Sequence, residues 1–147
     1  MQLHRIDTAS PFYAQAKKLR NEVLRKPLGL VLTPEELALD VAREHIVAVG
    51  NGRVIGSVSL YLQEPTLLRI KQMAVDPAQQ GHGLGAALMQ SAEARGRELG
   101  AESALLHARR TVEKFYTKLG YAMQGDEFAE QGIAHIAMIK LLRSSPV

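Results

Sequence analysis

Three glycines alternate at positions 81, 83 and 85, between a β-rich run at 67–75 (LLRIKQMAV) and a stretch that carries Leu84, Leu88, Ala92 and Leu99 on one helical face. This feature constrains the chain more than any other, because it demands a strand, a tight glycine turn and a helix in immediate succession. A further β-rich run follows at 103–108 (SALLHA), after Gly100 at the place of a left-handed helix terminus. A strand–helix–strand crossover makes a parallel pair. The turn itself has the chemistry of an anion site: successive N–H groups face a concavity, the helix dipole adds positive potential, and glycine admits close approach to the backbone. The spacing Gly81, Gly83, Ala86 also fits the dinucleotide pattern G-x-G-x-x-[GA]. That fold needs an acidic ribose ligand at the far end of the next strand, whereas Glu102 precedes it, and the G-x-x-x-x-G-K-[ST] pattern is missing.

The flanking segments predict a mixed sheet. Residues 2–7 read as a short strand. Ser10-Pro11 reads as a cap and first-turn proline of a helix carrying Phe12, Ala16, Leu19 and Val23 to about Arg25. Thr33-Pro34-Glu35-Glu36 has the form of a capping box that opens a short helix ending near Ala42. Runs at 45–50 and 53–62 flank Asn51-Gly52, a strong hairpin signal because both turn positions need positive φ. A turn at 63–66 leads into the 67–75 strand, so the sheet is antiparallel up to that point. A helix over 112–119 ends at Gly120, and 121–128 with 133–142 form a closing hairpin around Gln131-Gly132. The expected fold class is α/β (α+β) with a mixed sheet of about seven strands, one parallel step and helices on both faces.

Composition narrows the function. A chain of 147 residues accommodates one domain, 1–147, and its 46% apolar and 22% charged residues suit a globular protein. The absence of cysteine excludes a disulfide framework, a thiolate metal site and a cysteine nucleophile. No apolar run approaches the ~20 residues of a membrane span, and MQLHRIDTASPFY lacks the apolar stretch of a secretory signal. A cytoplasmic protein without membrane association is expected. The net charge is +3, but basic residues alternate with acids and cluster only as pairs such as Lys17-Lys18 and Arg109-Arg110. That distribution argues against nucleic acid and suits an anionic small molecule. The five histidines lack metal-motif spacing, so no metal is expected.

Three segments together resemble the GNAT superfamily of N-acetyltransferases: Met73-Ala74-Val75-Asp76-Pro77, Gln80-Gly81-His82-Gly83-Leu84-Gly85 against Q/R-x-x-G-x-G/A, and Phe115-Tyr116-Thr117-Lys118-Leu119-Gly120-Tyr121. Their order agrees from about residue 3 to 142. Leu19 to Arg25 and Gly132 to Ile136 also look like a small bacterial branch. The resemblance implies that strands 67–75 and 103–109 splay at their C-terminal ends and that acetyl-CoA wedges between them. Its diphosphate would sit on residues Gln80, Gly81, His82, Gly83, Leu84, Gly85 and Ala86. Its pantetheine arm would pair with Met73, Ala74 and Val75, with a backbone N–H near Met73 facing the thioester oxygen.

The implied reaction moves an acetyl group to a primary amine of a small molecule or peptide by direct attack in a ternary complex. By resemblance Tyr116 is the acid that protonates the leaving thiolate. Lys71 stands where many relatives carry a strand glutamate, which leaves Glu22, Glu44, His45, His107 and His135 as candidate bases, or a water chain ending on Glu22 or on a backbone carbonyl with no dedicated base. Arg109 stands where relatives often carry asparagine, and His82 where Lys or Arg is usual. The departure at Lys71 also leaves a second expectation, a non-catalytic acyl-CoA-binding sensor. The final hairpin offers a surface for a homodimer.

Overall fold

A computed structural model describes residues 1–142; positions 143–147 of the expected domain lie outside the described residues. The strands are β1 (Gln2–Ile6), β2 (Glu44–Gly50), β3 (Arg53–Glu64), β4 (Leu67–Val75), β5 (Ser103–Arg109), β6 (Ala122–Glu130) and β7 (Ile133–Leu141). They form one sheet in the order β1-β2-β3-β4-β5-β7-β6. Every neighbouring pair is antiparallel except β4 with β5. The helices are α1 (Tyr13–Arg20), α2 (Pro34–Ala38), α3 (Leu84–Glu98) and α4 (Glu113–Lys118).

Side-chain alternation divides the sheet into two faces. Ile46, Ala48, Ile55, Leu68 and Ile70 point to one face, where α3 buries Leu84, Leu88, Met89 and Ala92 against them. Val47, Val54 and Ala74 point to the other, against Ala16 and Leu19 of α1. The sheet approaches α3 closely: a Cβ at Gly96 would stand 2.6 Å from Leu68 Cδ2, and one at Gly56 would stand 2.9 Å from Leu88 Cδ1.

The expected helix over 11–25 is not uniform. Ser10 Oγ accepts from the Phe12 amide, so Pro11 belongs to a preceding turn and α1 starts at Tyr13. From Asn21 the helix widens into a π segment (Asn21–Arg25) and then tightens into a 3₁₀ turn (Lys26–Leu28) that Gly29 ends. Such wide turns mark sites where a helix re-aims its side chains. The capping box at Thr33 and Glu36 forms as the sequence predicts. A 3₁₀ turn then carries the chain from Leu39 to Ala42.

That short connecting region is anchored by a buried polar network. The Arg20 guanidinium donates to Asp40 at 2.8 Å, and the Tyr13 hydroxyl donates to the same carboxylate. His45 bridges the Ser59 hydroxyl (2.9 Å) and the Asp40 carbonyl (3.0 Å). Arg20 and Asp40 are almost wholly buried, and their pairing is what makes that burial tolerable.

Candidate active site

The parallel pair is short. Ladder pairing joins Leu67 to Ser103, Leu68 to Ala104 and Arg69 to Leu105, and goes no further. Beyond Arg69 the edge of β4 that faces β5 has no strand partner, so its peptide groups open into the gap. A bulge in β4 falls at this point. Ser59 pairs with Lys71 and Ser57 with Ala74, so Gln72 and Met73 together oppose Val58. Gln72 adopts φ +56°, a left-handed conformation of order 1–3 kcal/mol for a non-glycine residue. The extra residue exchanges the faces. Arg69 and Lys71 lie on the face opposite Leu68 and Ile70, whereas after the bulge Met73 and Val75 pack with the α3 core and Ala74 turns to α1.

A cavity of about 840 Å³ occupies the gap. At one end lies the glycine turn. Gly81 and Gly83 take φ +85° and +78°, with nothing within 4 Å of where a Cβ would be, so backbone conformation rather than space demands glycine there. Gly83 has no side-chain cap to offer α3, and the first helical bond runs from the Ala87 amide to the Gly83 carbonyl. The amides of Leu84, Gly85 and Ala86 therefore lack helical acceptors and project at the mouth of a fifteen-residue helix. Gln80 Nε2 donates to the Val75 carbonyl at 3.3 Å and staples the turn to the end of β4.

Tyr116 and Phe115 line the middle of the cavity. The Phe115 ring stands edge-on to Tyr116 at 5.0 Å, and a Cβ at Gly85 would be 3.1 Å from its tip. Helix α4, the glycine turn and β4 thus converge. Burial pushes the Tyr116 hydroxyl up to about 12, with nearby Arg109 opposing, so it holds its proton at neutral pH.

The far end is polar and lies under the π segment and α2. Antiparallel register puts Arg109 opposite His135, and Phe128 opposite the same histidine. His107 Nδ1 lies 3.0 Å from Glu130 Oε1 and 3.0 Å from Arg69 Nη2, while His135 Nε2 lies 3.6 Å from Glu130 Oε2. Burial raises the Glu130 carboxyl, but the His107 hydrogen bond and the surrounding positive charges outweigh it and hold Glu130 below the usual carboxylate range. Glu36 pairs with Arg25 at 2.8 Å, and Arg109 donates to the Leu24 carbonyl at 3.0 Å. The widened turn at 21–25 delivers both Arg25 and that carbonyl.

Met73, Val75, Gln80, Gly81, Gly83, Leu84, Gly85, Ala86, Lys71, His107, Arg109, Tyr116 and His135 all border this one cavity. Five expected residues do not: Ala74, His82, Glu22, Glu44 and His45. The Ala74 side chain is buried against α1 because of the bulge, and His82 is exposed at the turn. Glu22 is exposed and borders a separate depression with Gln15, Lys18 and Arg53, while Val23, Leu24 and Arg25 of the π segment line the cavity. Glu44 is taken by Arg95 and His45 by the buried network. Arg43, Arg69 and Glu130 were not among the expected residues. Alternation back from the Gln131-Gly132 turn, which puts Glu130 and Phe128 on the face of His135, was the available signal.

A mixed sheet that opens between two parallel strands, with unpaired helix-start amides at one end of the opening and a protonated tyrosine beside it, is the arrangement that the resemblance to N-acetyltransferases implies. The chain belongs to the GNAT acetyltransferases: the family described as "Acetyltransferase (GNAT) domain" matches residues 15–142. It is 27% identical to the uncharacterized protein YyaT of Bacillus subtilis over 143 residues, 95% of each chain. It is 30% identical over 100 residues to the aminoalkylphosphonate N-acetyltransferase of Salmonella typhimurium, covering 63% of this chain and 65% of that one. Among solved structures, aminoglycoside 6'-N-acetyltransferase complexed with coenzyme A shares the fold at TM-score 0.82 and 17% identity, over the full length of both chains. The protein is an acetyltransferase.

Proposed function

We propose that the protein transfers the acetyl group of acetyl-CoA to a primary amine of a small molecule or peptide, by direct attack while both substrates are bound. The observation that carries this reading is the end of β4–β5 pairing at Arg69 and Leu105, in the same cavity as the glycine turn and Tyr116. The donor set fits acetyl-CoA. Unpaired amides at Gly81 to Ala86 suit a diphosphate, and the free edge of β4 at Met73 to Val75 suits an amide-bearing arm.

The Met73 amide, beside the bulge, faces the thioester oxygen and stabilises the charge that develops on it, an effect worth about 10²–10³ in rate. Tyr116 donates its proton to the departing sulfur. With Glu22 outside the cavity, removal of the amine proton falls to the Glu130–His107 pair. Lys71, on the strand position where a carboxylate base is often found, takes no part in that step.

Titration calorimetry with acetyl-CoA, followed by a thiol-release assay over a broad amine panel, tests the reading. Saturable binding and acceptor-dependent release of CoA are expected. Absence of binding at millimolar concentration overturns it, and binding without release on any amine assigns the chain to acyl-CoA-binding modules instead.

A further inference from the structure

We infer that the acceptor amine also carries an oxyanion, a carboxylate or a phosphonate, which is seated on Arg69, Lys71 and Arg109; this deepens the transfer activity proposed above and rests on it.

The far end of the cavity is rich in unneutralised positive charge. Arg25, Arg43, Arg69, Lys71 and Arg109 border the cavity, against two carboxylates, Glu36 and Glu130. Glu36 is already paired, and Glu130 is one carboxylate set against several cations. Glu36 takes two bonds from Arg25 and one from the Thr33 amide, and Glu130 lies between His107 and His135. Among the described residues, none of Arg43, Arg69, Lys71 and Arg109 forms a salt bridge. Arg69 reaches Gln63 and the His107 Nδ1 that it shares with Glu130, Arg109 donates to the Leu24 carbonyl, and Arg43 lies over the Tyr61 ring. Arg69 is only 8% exposed, yet its Nε is buried with no hydrogen-bond partner. Burial, the largest cause for each, together with neighbouring cations holds Arg69, Lys71 and Arg109 below their ordinary values, even though Glu130 pulls Arg69 and Lys71 back up. A buried cation without a counterion is costly, and truncating to an apolar side chain is normally the cheaper solution.

The diphosphate of acetyl-CoA cannot supply the missing counterion. Arg69 and Lys71 precede the bulge on the face opposite Met73 and Val75, and Lys71 lies roughly 13 Å along the strand before Val75. The glycine turn begins only after the strand has ended. Five cations against two carboxylates in one concave lining favour an anionic group there. A cationic acceptor without an anion meets repulsion. A zwitterion does not: its oxyanion rests on Lys71, Arg69 and Arg109 while its amine faces Glu130 and His107.

The experiment compares matched acceptors by thiol release: an ω-amino acid with its amide, an aminoalkylphosphonate with the corresponding amino alcohol, and a polyamine. The acids should exceed their neutral partners in kcat/KM by about tenfold or more, the size carried by one hydrogen bond to a charged group. The two acid arms separate carboxylate from phosphonate. In Lys71→Met and in Arg109→Gln the acid-to-neutral ratio should shrink toward one, with retained acetyl-CoA binding certifying the fold of each variant. Neutral amines or polyamines used as well as the acids would overturn the inference and leave the transfer reading standing. If acetyl-CoA binds but no amine is turned over, calorimetry of an N-acetyl ω-amino acid against its amide, with CoA present, decides: tighter binding of the acid supports the site, equal or absent binding overturns it. If acetyl-CoA itself does not bind, the transfer reading falls, and the same comparison run without CoA still decides the anion site.

Discussion

At the scale of single residues, Tyr116 has the cleanest chemical assignment. Its hydroxyl is pushed up to about 12 by burial, so it is a proton donor across the working pH range and a poor base. Tyr116→Phe keeps the ring contacts with Phe115 and Tyr121 and removes only the proton. Steady-state kinetics should show kcat lowered by about 10²-fold, the lower end for general acid help, with a smaller change in acetyl-CoA affinity by calorimetry. Unaltered kcat would remove Tyr116 from the acid role. That this residue and the glycines would border one cavity was legible because two short local motifs, seven and six residues long, carry them. Glu130 was not. Its partnership with His107 joins strands that are not adjacent in the sheet, and it exists only once the β5–β7 and β6–β7 registers are set. The position of Glu22 was equally hard to read, since a regular helix and a widened one aim position 22 differently.

At the scale of elements, the seating of α3 on the sheet is the tightest junction. Gly96 has an ordinary helical φ, so only space opposes a side chain there. Alanine would gain about 1 kcal/mol in helix propensity but would force the fully buried Leu68 and Leu142 apart, an overpacking cost of about 1–3 kcal/mol. Gly96→Ala should therefore lower Tm by a few degrees in a calorimetric scan, and an equal or higher Tm would show that Leu68 yields freely. The order of strands and helices was readable from the sequence, since the Asn51-Gly52 and Gln131-Gly132 turns, the capping box and the glycine turn each carry a local signal. The β4 bulge was not. Its left-handed residue is a glutamine rather than glycine, and LLRIKQMAV reads as one uninterrupted strand. The place where the faces exchange, which governs whether Lys71 or Met73 meets the cavity floor, is visible only in three dimensions.

At the scale of the whole molecule, the network of Arg20, Asp40, Tyr13 and His45 ties the region that roofs the cavity to α1 and the sheet. Burial holds His45 below the ordinary imidazole value, even against the pull of Asp40, so the folded protein keeps it neutral where the unfolded chain takes up a proton. Stability should therefore begin to fall as pH drops below about 6.5. The Asp40 carboxyl is raised by burial but lowered further by Arg20 and Tyr13, giving a net depression. It adds stability that is complete above the usual carboxylate range and is lost as pH falls through its depressed value. Urea midpoints measured from pH 8 to 4 should trace the imidazole leg first, and His45→Gln should flatten that leg alone. A wild-type midpoint constant between pH 7 and 5 would contradict the assignment. The pairing of β4 with β5 has a wider consequence. Two leaves, β1 to β4 and β5 to β7, share a hydrogen-bonded spine only three residue pairs long, so that the core beneath α3, which reaches both leaves, is the mortar between them.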